Sequence, residues 1–195
     1  MPDSMHYTIF DTPLLRNFMR ALSIMLLRLR GWRIEGNFPD LPKYVLIAAP
    51  HTSNWDFPLT LGVCFALRAK LYWMGKHTLF WGPLGPVMRW LGGIPVMRSR
   101  NNSLVQQMVT VYQQSAQLVV AIPPEGTRQR VKEWKTGFYH IACGAQVPIV
   151  LAYMDYARKV CGFGPVFYPT GDIAADMPRI QDFYRDKVGK HPDQH

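Results

Sequence analysis

Long apolar runs are missing from this sequence: no stretch approaches the ~18 residues that a membrane-spanning helix needs, so no segment is expected to cross a bilayer by itself. Cysteine is scarce as well. Cys64, Cys143 and Cys161 form neither a close pair nor a metal-ligand spacing, at most one disulfide could join two of them, and a reducing compartment is the expectation. The chain opens Met-Pro-Asp-Ser without a basic n-region, and no small-residue cleavage site follows the apolar stretch in the twenties, so a secretory signal is not expected. There is no Gly-x-Ser-x-Gly elbow, no Gly-rich phosphate loop closing on Lys-Ser/Thr, and no His-Glu-x-x-His helix. His6, His77, His140, His191 and His195 share no metal spacing, so no metal is expected. Repeats and low-complexity tracts are absent too.

Acidic residues are few: 13 Asp and Glu stand against 22 Lys and Arg, a formal charge of +9. The partner should therefore carry negative charge, which admits nucleic acid, an anionic membrane or a phosphorylated substrate. The basic residues are dispersed and no recognition-helix or RNA-binding signature accompanies them, which speaks against nucleic acid. What the chain has in quantity is apolar residues, 48% over 195 positions, enough for one globular domain with a full core.

Between Pro13 and Gly31, Leu15, Phe18, Met19, Leu22, Met25, Leu26 and Leu29 recur at the three-and-four spacing of one helical face, with Arg16, Arg20 and Arg30 away from that stripe. A basic amphipathic helix of this kind can lie in a headgroup region or pack on its own core; Leu14, Leu27 and Arg28 broaden both faces and favour membrane contact. Residues 43–49 read as a buried strand ending at Pro50, and 56–67 as a helix with Pro58 in its first turn. Further strands are expected at 70–74, 94–97, 117–122 and 147–153, with a weaker extended segment at 160–168. Helices are expected near 91, over 102–117 and over 137–143, and a polar tail after Gly171. The alternation points to an α/β fold: a central, mostly parallel or mixed sheet flanked by helices, behind an N-terminal basic amphipathic helix.

His51 and Asp56 flank the turn from the 43–49 strand to the 56–67 helix, so an imidazole on the loop can meet a carboxylate at the helix start. A carboxylate on one ring nitrogen fixes the tautomer and leaves the other free to take a proton from an alcohol. The pair by itself also fits a structural histidine; its place after a buried strand is what favours function, because binding residues gather there in open α/β sheets. Glu125-Gly126-Thr127-Arg128 follows the 117–122 strand in the same manner. Arg128 offers a planar fork for phosphate and Gly126 lets the backbone approach a ligand, although the tetrapeptide also fits a turn with a solvated arginine. Lys76 and Arg98 follow two more strands, and cations recurring after successive strands suggest an anion site.

Four blocks carry a resemblance over roughly residues 45–150. His51-Thr-Ser-Asn-Trp-Asp56 resembles the His-x-x-x-x-Asp block of the glycerolipid (lysophosphatidic-acid type) acyltransferases, Gly92-Gly-Ile-Pro-Val-Met-Arg98 their second block, Pro124-Glu-Gly-Thr-Arg128 their third and Val147-Pro-Ile149 their fourth. The resemblance implies transfer of a fatty acyl group from acyl-CoA or acyl carrier protein to a hydroxyl of a lysophospholipid or related lipid. His51 would be the general base, oriented by Asp56, and Glu125, Gly126, Thr127, Arg128 and Arg98 would bind the acceptor's anionic head. No acyl-enzyme and no cofactor beyond the thioester co-substrate are implied. Three positions depart from the family's pattern, Pro95 at an aromatic position, Pro123 at a phenylalanine and Gln129 at a serine, and they leave the acceptor open. Residues 1–35 are then expected to form a membrane-associating helical element and 36–195 the catalytic domain, with the protein peripheral on the cytoplasmic face of a membrane. A catalytically inactive lipid-binding or membrane-adaptor domain of the same fold is the alternative; it has no need of a base–carboxylate pair.

Overall fold

The computed structural model describes residues 6–97 and 101–194, apart from the side chains of 101–103 and 194. Short runs rich in Val, Ile, Leu and Tyr become strands β1 (Arg33–Glu35), β2 (Lys43–Ala49), β3 (Tyr72–Lys76), β4 (Gly93–Val96), β5 (Leu118–Ile122), β6 (Ile149–Asp155) and β7 (Val160–Phe167). They pair into one seven-stranded sheet in the order β1-β7-β6-β2-β5-β3-β4. Every pairing is parallel except that of β6 with β7, which are joined by a short turn, so the sheet is mixed.

Among the described residues six α-helices, α1 (Pro13–Leu29), α2 (Asp56–Leu67), α3 (Leu84–Trp90), α4 (Asn101–Gln114), α5 (Gly137–Ala145) and α6 (Ile173–Asp182), cover the two faces. The two-residue period of β2 shows why both faces need cover: Val45, Ile47 and Ala49 enter one core with Met108 and Tyr112 of α4, Phe138 and Ile141 of α5 and Ile180 of α6. Tyr44 and Leu46 enter the other, with Cys64 and Phe65 of α2, Leu15 and Met19 of α1, and Ile9 and Phe10 from the segment ahead of α1.

Three elements depart from the sequence expectations, the first being β1, which no apolar run announces and which pairs with β7 at the sheet edge. The tail after Gly171 is not simply polar: the Asp172 side chain caps α6 by accepting from the Ala174 and Ala175 N–H groups, and Ile180 buries fully against the sheet. Helix α1 carries apolar residues on two sides rather than in one stripe. Leu15, Met19, Ser23 and Leu27, one helical turn apart, face the protein, whereas Leu14, Phe18, Met25 and Leu29 are exposed, Leu14 at 88%. Arg20 is turned inward as well, its Nε donating to the Ala66 carbonyl in the last turn of α2 at 3.2 Å, where a cation suits the helix dipole.

Candidate active site

Because β2, β3, β4, β5 and β6 run parallel, their carboxyl ends share one edge of the sheet. β2 lies between β5 and β6, at the point where successive connections depart in opposite directions and ligands bind in open α/β sheets. His51 leaves the end of β2 through the cis Ala49–Pro50 peptide, and Asp56 opens α2. The turn between them is held locally: the Ser53 N–H donates to Asp56 Oδ2 at 3.0 Å and the Trp55 N–H to Ser53 Oγ at 3.2 Å.

His51 Nδ1 lies 3.0 Å from Asp56 Oδ2; the imidazole is 22% exposed and the carboxylate 1%. Burial pushes the Asp56 carboxyl up, but hydrogen bonds from His51, the Tyr156 hydroxyl and the Ser53 N–H outweigh it and hold the group below its ordinary value. Asp56 is therefore an anion that only accepts, which makes Nδ1 the donor and leaves Nε2 of the neutral ring with a lone pair. The arrangement can take a proton from a group presented to Nε2 and stabilise the imidazolium that forms.

Glu125 comes to His51 from the end of β5. Its Oε1 accepts from the His51 N–H at 3.1 Å, its side chain is buried, and its Oε2 has no hydrogen-bond partner among the described residues. Burial pushes the carboxyl above its usual range, the nearby Asp56 adds to this, and the backbone N–H bonds only partly offset it. Gly126 follows in the left-handed region at φ +65°, and a Cβ there would come within 2.8 Å of the Lys135 side chain. Thr127 is half-buried, its Oγ1 accepting from the Gln129 N–H, and Arg128 is exposed. Lys76 ends β3, exposed on the same edge; with β5 between β3 and β2 it stands about 10 Å across the sheet at ~4.8 Å per strand. Arg98 lies outside the described residues. The structure thus joins His51, Asp56 and Glu125 by direct bonds and puts Gly126, Thr127, Arg128 and Lys76 on the same sheet edge.

Two groups of residues at this edge were not anticipated from the sequence. Tyr156, just past β6, donates its hydroxyl to Asp56 Oδ1 at 2.7 Å. The segment after α6 returns to the motif turn: the His191 N–H donates to Thr52 Oγ1 at 3.2 Å, and Lys190 Nζ sits 5.0 Å from the centroid of the Trp55 ring. Beside the turn, Phe57, Trp73 and Phe80 form an edge-to-face and tilted series, with Trp81, Leu79 and Leu84 exposed nearby in sequence. A separate pocket, partly open to solvent, lies between α2 and the β6–β7 part of the sheet, bordered by Val63, Cys64, Met154 and Cys161.

Comparison with known proteins bears on the family of the chain. The chain is 31% identical over 158 residues to 1-acyl-sn-glycerol-3-phosphate acyltransferase alpha of Homo sapiens, covering 72% of this chain and 54% of that protein. It is 26% identical over 130 residues to the 1-acyl-sn-glycerol-3-phosphate acyltransferase of Escherichia coli, covering 62% and 51%. The chain spans about half the length of these curated relatives. Its fold matches the crystal structure of the 1-acyl-sn-glycerophosphate (LPA) acyltransferase PlsC from Thermotoga maritima with a TM-score of 0.62 at 15% identity, over 87% of this chain and 76% of that one. The Acyltransferase family model matches residues 32–155, a span that contains both the His51–Asp56 pair and the Glu125–Arg128 turn, and the chain belongs to that family.

Proposed function

We propose that the protein is an O-acyltransferase that moves a fatty acyl group from an acyl thioester, on CoA or acyl carrier protein, to the hydroxyl of a lysophospholipid at a membrane surface. The observation that carries this reading is the 3.0 Å His51–Asp56 pair at the carboxyl edge of the sheet in a chain of the acyltransferase family. His51 Nε2 takes the proton of the acceptor hydroxyl as its oxygen attacks the thioester carbonyl; the tetrahedral intermediate collapses, the C–S bond breaks, and the imidazolium returns the proton to the departing sulfur. The thioester is already activated, so no acyl-enzyme, metal or further cofactor enters the scheme, and alignment supplies much of the acceleration.

Arg128, Thr127 and Lys76, with Arg98, bind the acceptor's anionic head, and Gly126 keeps the backbone open to it. Glu125 acts from beneath, fixing the main chain of His51. The relatives' names make 1-acyl-sn-glycerol-3-phosphate the first acceptor to test, while Pro95, Pro123 and Gln129 leave room for a different lysolipid. The acyl chain runs along Phe57, Trp73 and Phe80. No described helix is long and apolar enough to cross a membrane. The protein lies peripherally on the cytoplasmic face, its exposed Leu14, Phe18, Met25 and Leu29 in the acyl boundary and Arg28 and Arg30 at the anionic headgroups.

The test is thiol release from long-chain acyl-CoA and from acyl carrier protein across a panel of lysolipids in mixed micelles. Acceptor-dependent release that falls by about 10²- to 10⁴-fold in His51→Ala, with the fold intact by circular dichroism, is expected for the loss of a general base. Vesicle binding without release from either donor would point instead to a non-catalytic lipid binder.

A further inference from the structure

Asp56 is held by more than its motif. Oδ2 receives His51 Nδ1 and the Ser53 N–H, both at 3.0 Å, and Oδ1 receives the Tyr156 hydroxyl at 2.7 Å. With a donor on each oxygen, rotation of the carboxylate about its Cβ–Cγ bond breaks every one of these contacts together. With donors on Oδ2 alone, Oδ1 would be a buried acceptor without a partner and the plane of the group would be fixed from one side only.

Tyr156 is itself fixed from several directions. Its main-chain N–H donates to the Val188 carbonyl at 2.8 Å, its ring meets the Trp32 ring edge-on at 5.0 Å between centroids, and it packs against Val63, Met154 and Cys161. Burial, and then the neighbouring carboxylate, push the phenol well above its ordinary value, so it stays a donor throughout the working range of the site. The titratable groups around Asp56 are His51, Tyr156, Glu125 and Cys161. Burial raises the Cys161 thiol to about 12, which keeps it neutral. The phenol is thus the one neutral hydroxyl donor in the set.

We propose that Tyr156 is a positioning residue of the reaction: through Asp56 Oδ1 it fixes the plane of the carboxylate and so both the orientation of His51 and the strength with which His51 holds its proton. The inference rests in part on the reading of His51 as the base. A hydroxyl on Oδ1 draws negative charge away from Oδ2, weakening the pull of Oδ2 on the imidazolium. Its removal leaves Oδ2 a stronger acceptor, and His51 holds the proton more tightly.

Tyr156→Phe keeps the ring against Trp32 and the main chain on Val188 while deleting only the donor. Expected are a fall in kcat of about tenfold, the scale of one hydrogen bond to a charged group acting through a neighbour, a lysolipid KM within about twofold of the wild type, and an acid limb of kcat/KM moved to higher pH. The His51 ring signal in NMR, assigned by its loss in His51→Gln, is expected to titrate at higher pH in Tyr156→Phe than in the wild type, with no acyl donor present. In an Asp56→Asn background, Tyr156→Phe should change neither kcat nor the ring titration further. An unmoved acid limb and ring titration would overturn the proposal whether or not kcat fell, because a merely structural tyrosine predicts that. A raised KM at unchanged kcat would overturn it in favour of contact with the acceptor. If the ring titration moves but the wild type transfers no acyl group to any lysolipid, the positioning role stands and the reading of the reaction fails.

Discussion

Glu125 is the residue whose surroundings differ most from what its motif suggests. Within the Glu-Gly-Thr-Arg turn it reads as a ligand for the acceptor, yet it is 5% exposed with one oxygen on the His51 N–H and the other unpartnered among the described residues. Its carboxyl lies above the ordinary value of 4.5 in the folded state, so the fold binds that proton more tightly than the unfolded chain does. The sign follows: below the unfolded value both states are protonated and nothing is lost, and stability falls as pH rises from there through the folded value. Glu125→Gln keeps an oxygen for the His51 N–H and removes the buried charge. Chemical denaturation should find it close to wild type at pH 4 and more stable than wild type at pH 7.5. Glu125→Ala removes the acceptor and should cost about 1–3 kcal/mol, the usual penalty for a buried donor left unpaired. A glutamine variant less stable at pH 7.5 than at pH 4, relative to wild type, would show that the carboxylate is held charged by a partner. His51 and Asp56 were legible in the sequence because the contact is local, across one strand-to-helix turn. Tyr156 reaches the same carboxylate over a separation of 100 residues, and nothing in its neighbourhood along the chain signals that.

Among the elements, α1 and α6 show what periodicity reveals and what it leaves out. Apolar spacing from Pro13 onward identifies α1, but apolar residues occupy more than half of its circumference, so the pattern does not say which side faces the protein. Packing on α2 selects Leu15, Met19, Ser23 and Leu27 and leaves Leu14, Phe18, Met25 and Leu29 open. The tail resisted reading because α6 presents only a narrow apolar face, Ile173, Met177 and Ile180, on an otherwise polar segment. The strands β2 and β5 were readable because their short apolar runs, too short for a helix, are closed at once by Pro50 and Pro123. For α1 the division into two faces makes a direct prediction. Replacing Leu14, Phe18 and Leu29 together by Gln removes side chains already in water, so the thermal midpoint should hardly change. If these side chains enter lipid, each contributes a good part of the ~1.5–3 kcal/mol of a buried apolar side chain, and binding to anionic vesicles in a sedimentation assay should weaken by at least about tenfold. Met19→Gln should do the reverse, lowering the midpoint through the core with much less effect on vesicle binding. Equal vesicle binding by wild type and the triple variant would place the membrane contact elsewhere.

At the scale of the molecule, the site is assembled from segments spread between residues 51 and 191 around the carboxyl edge of one sheet. The family match ends at residue 155, but the residues that brace the motif turn continue beyond it. Tyr184 of the segment after α6 is fully buried and donates its hydroxyl to the Ile47 carbonyl of β2 at 3.2 Å, four residues before His51. From there the chain passes Val188, which accepts the Tyr156 N–H, and reaches His191, whose N–H is on Thr52. Gly189 is where this return lies tightest against the motif: a Cβ there would stand 2.7 Å from Thr52 Oγ1 and 2.8 Å from its Cγ2. Gly189→Ala therefore forces the return segment or the motif turn to shift, an overpacking cost of about 1–3 kcal/mol. Acyl transfer should fall along with stability, because Thr52 adjoins His51. Thr52→Ala removes both clashing atoms but also the acceptor for the His191 N–H, so by itself it should be mildly destabilising. The double variant Gly189→Ala/Thr52→Ala should then be more stable and more active than the sum of the single changes allows, a positive coupling measurable by denaturation and by kcat in the same cycle. Strict additivity in both readouts would mean that the C-terminal segment does not press on the motif turn in solution and that the site is braced from β2, β5 and β6 alone.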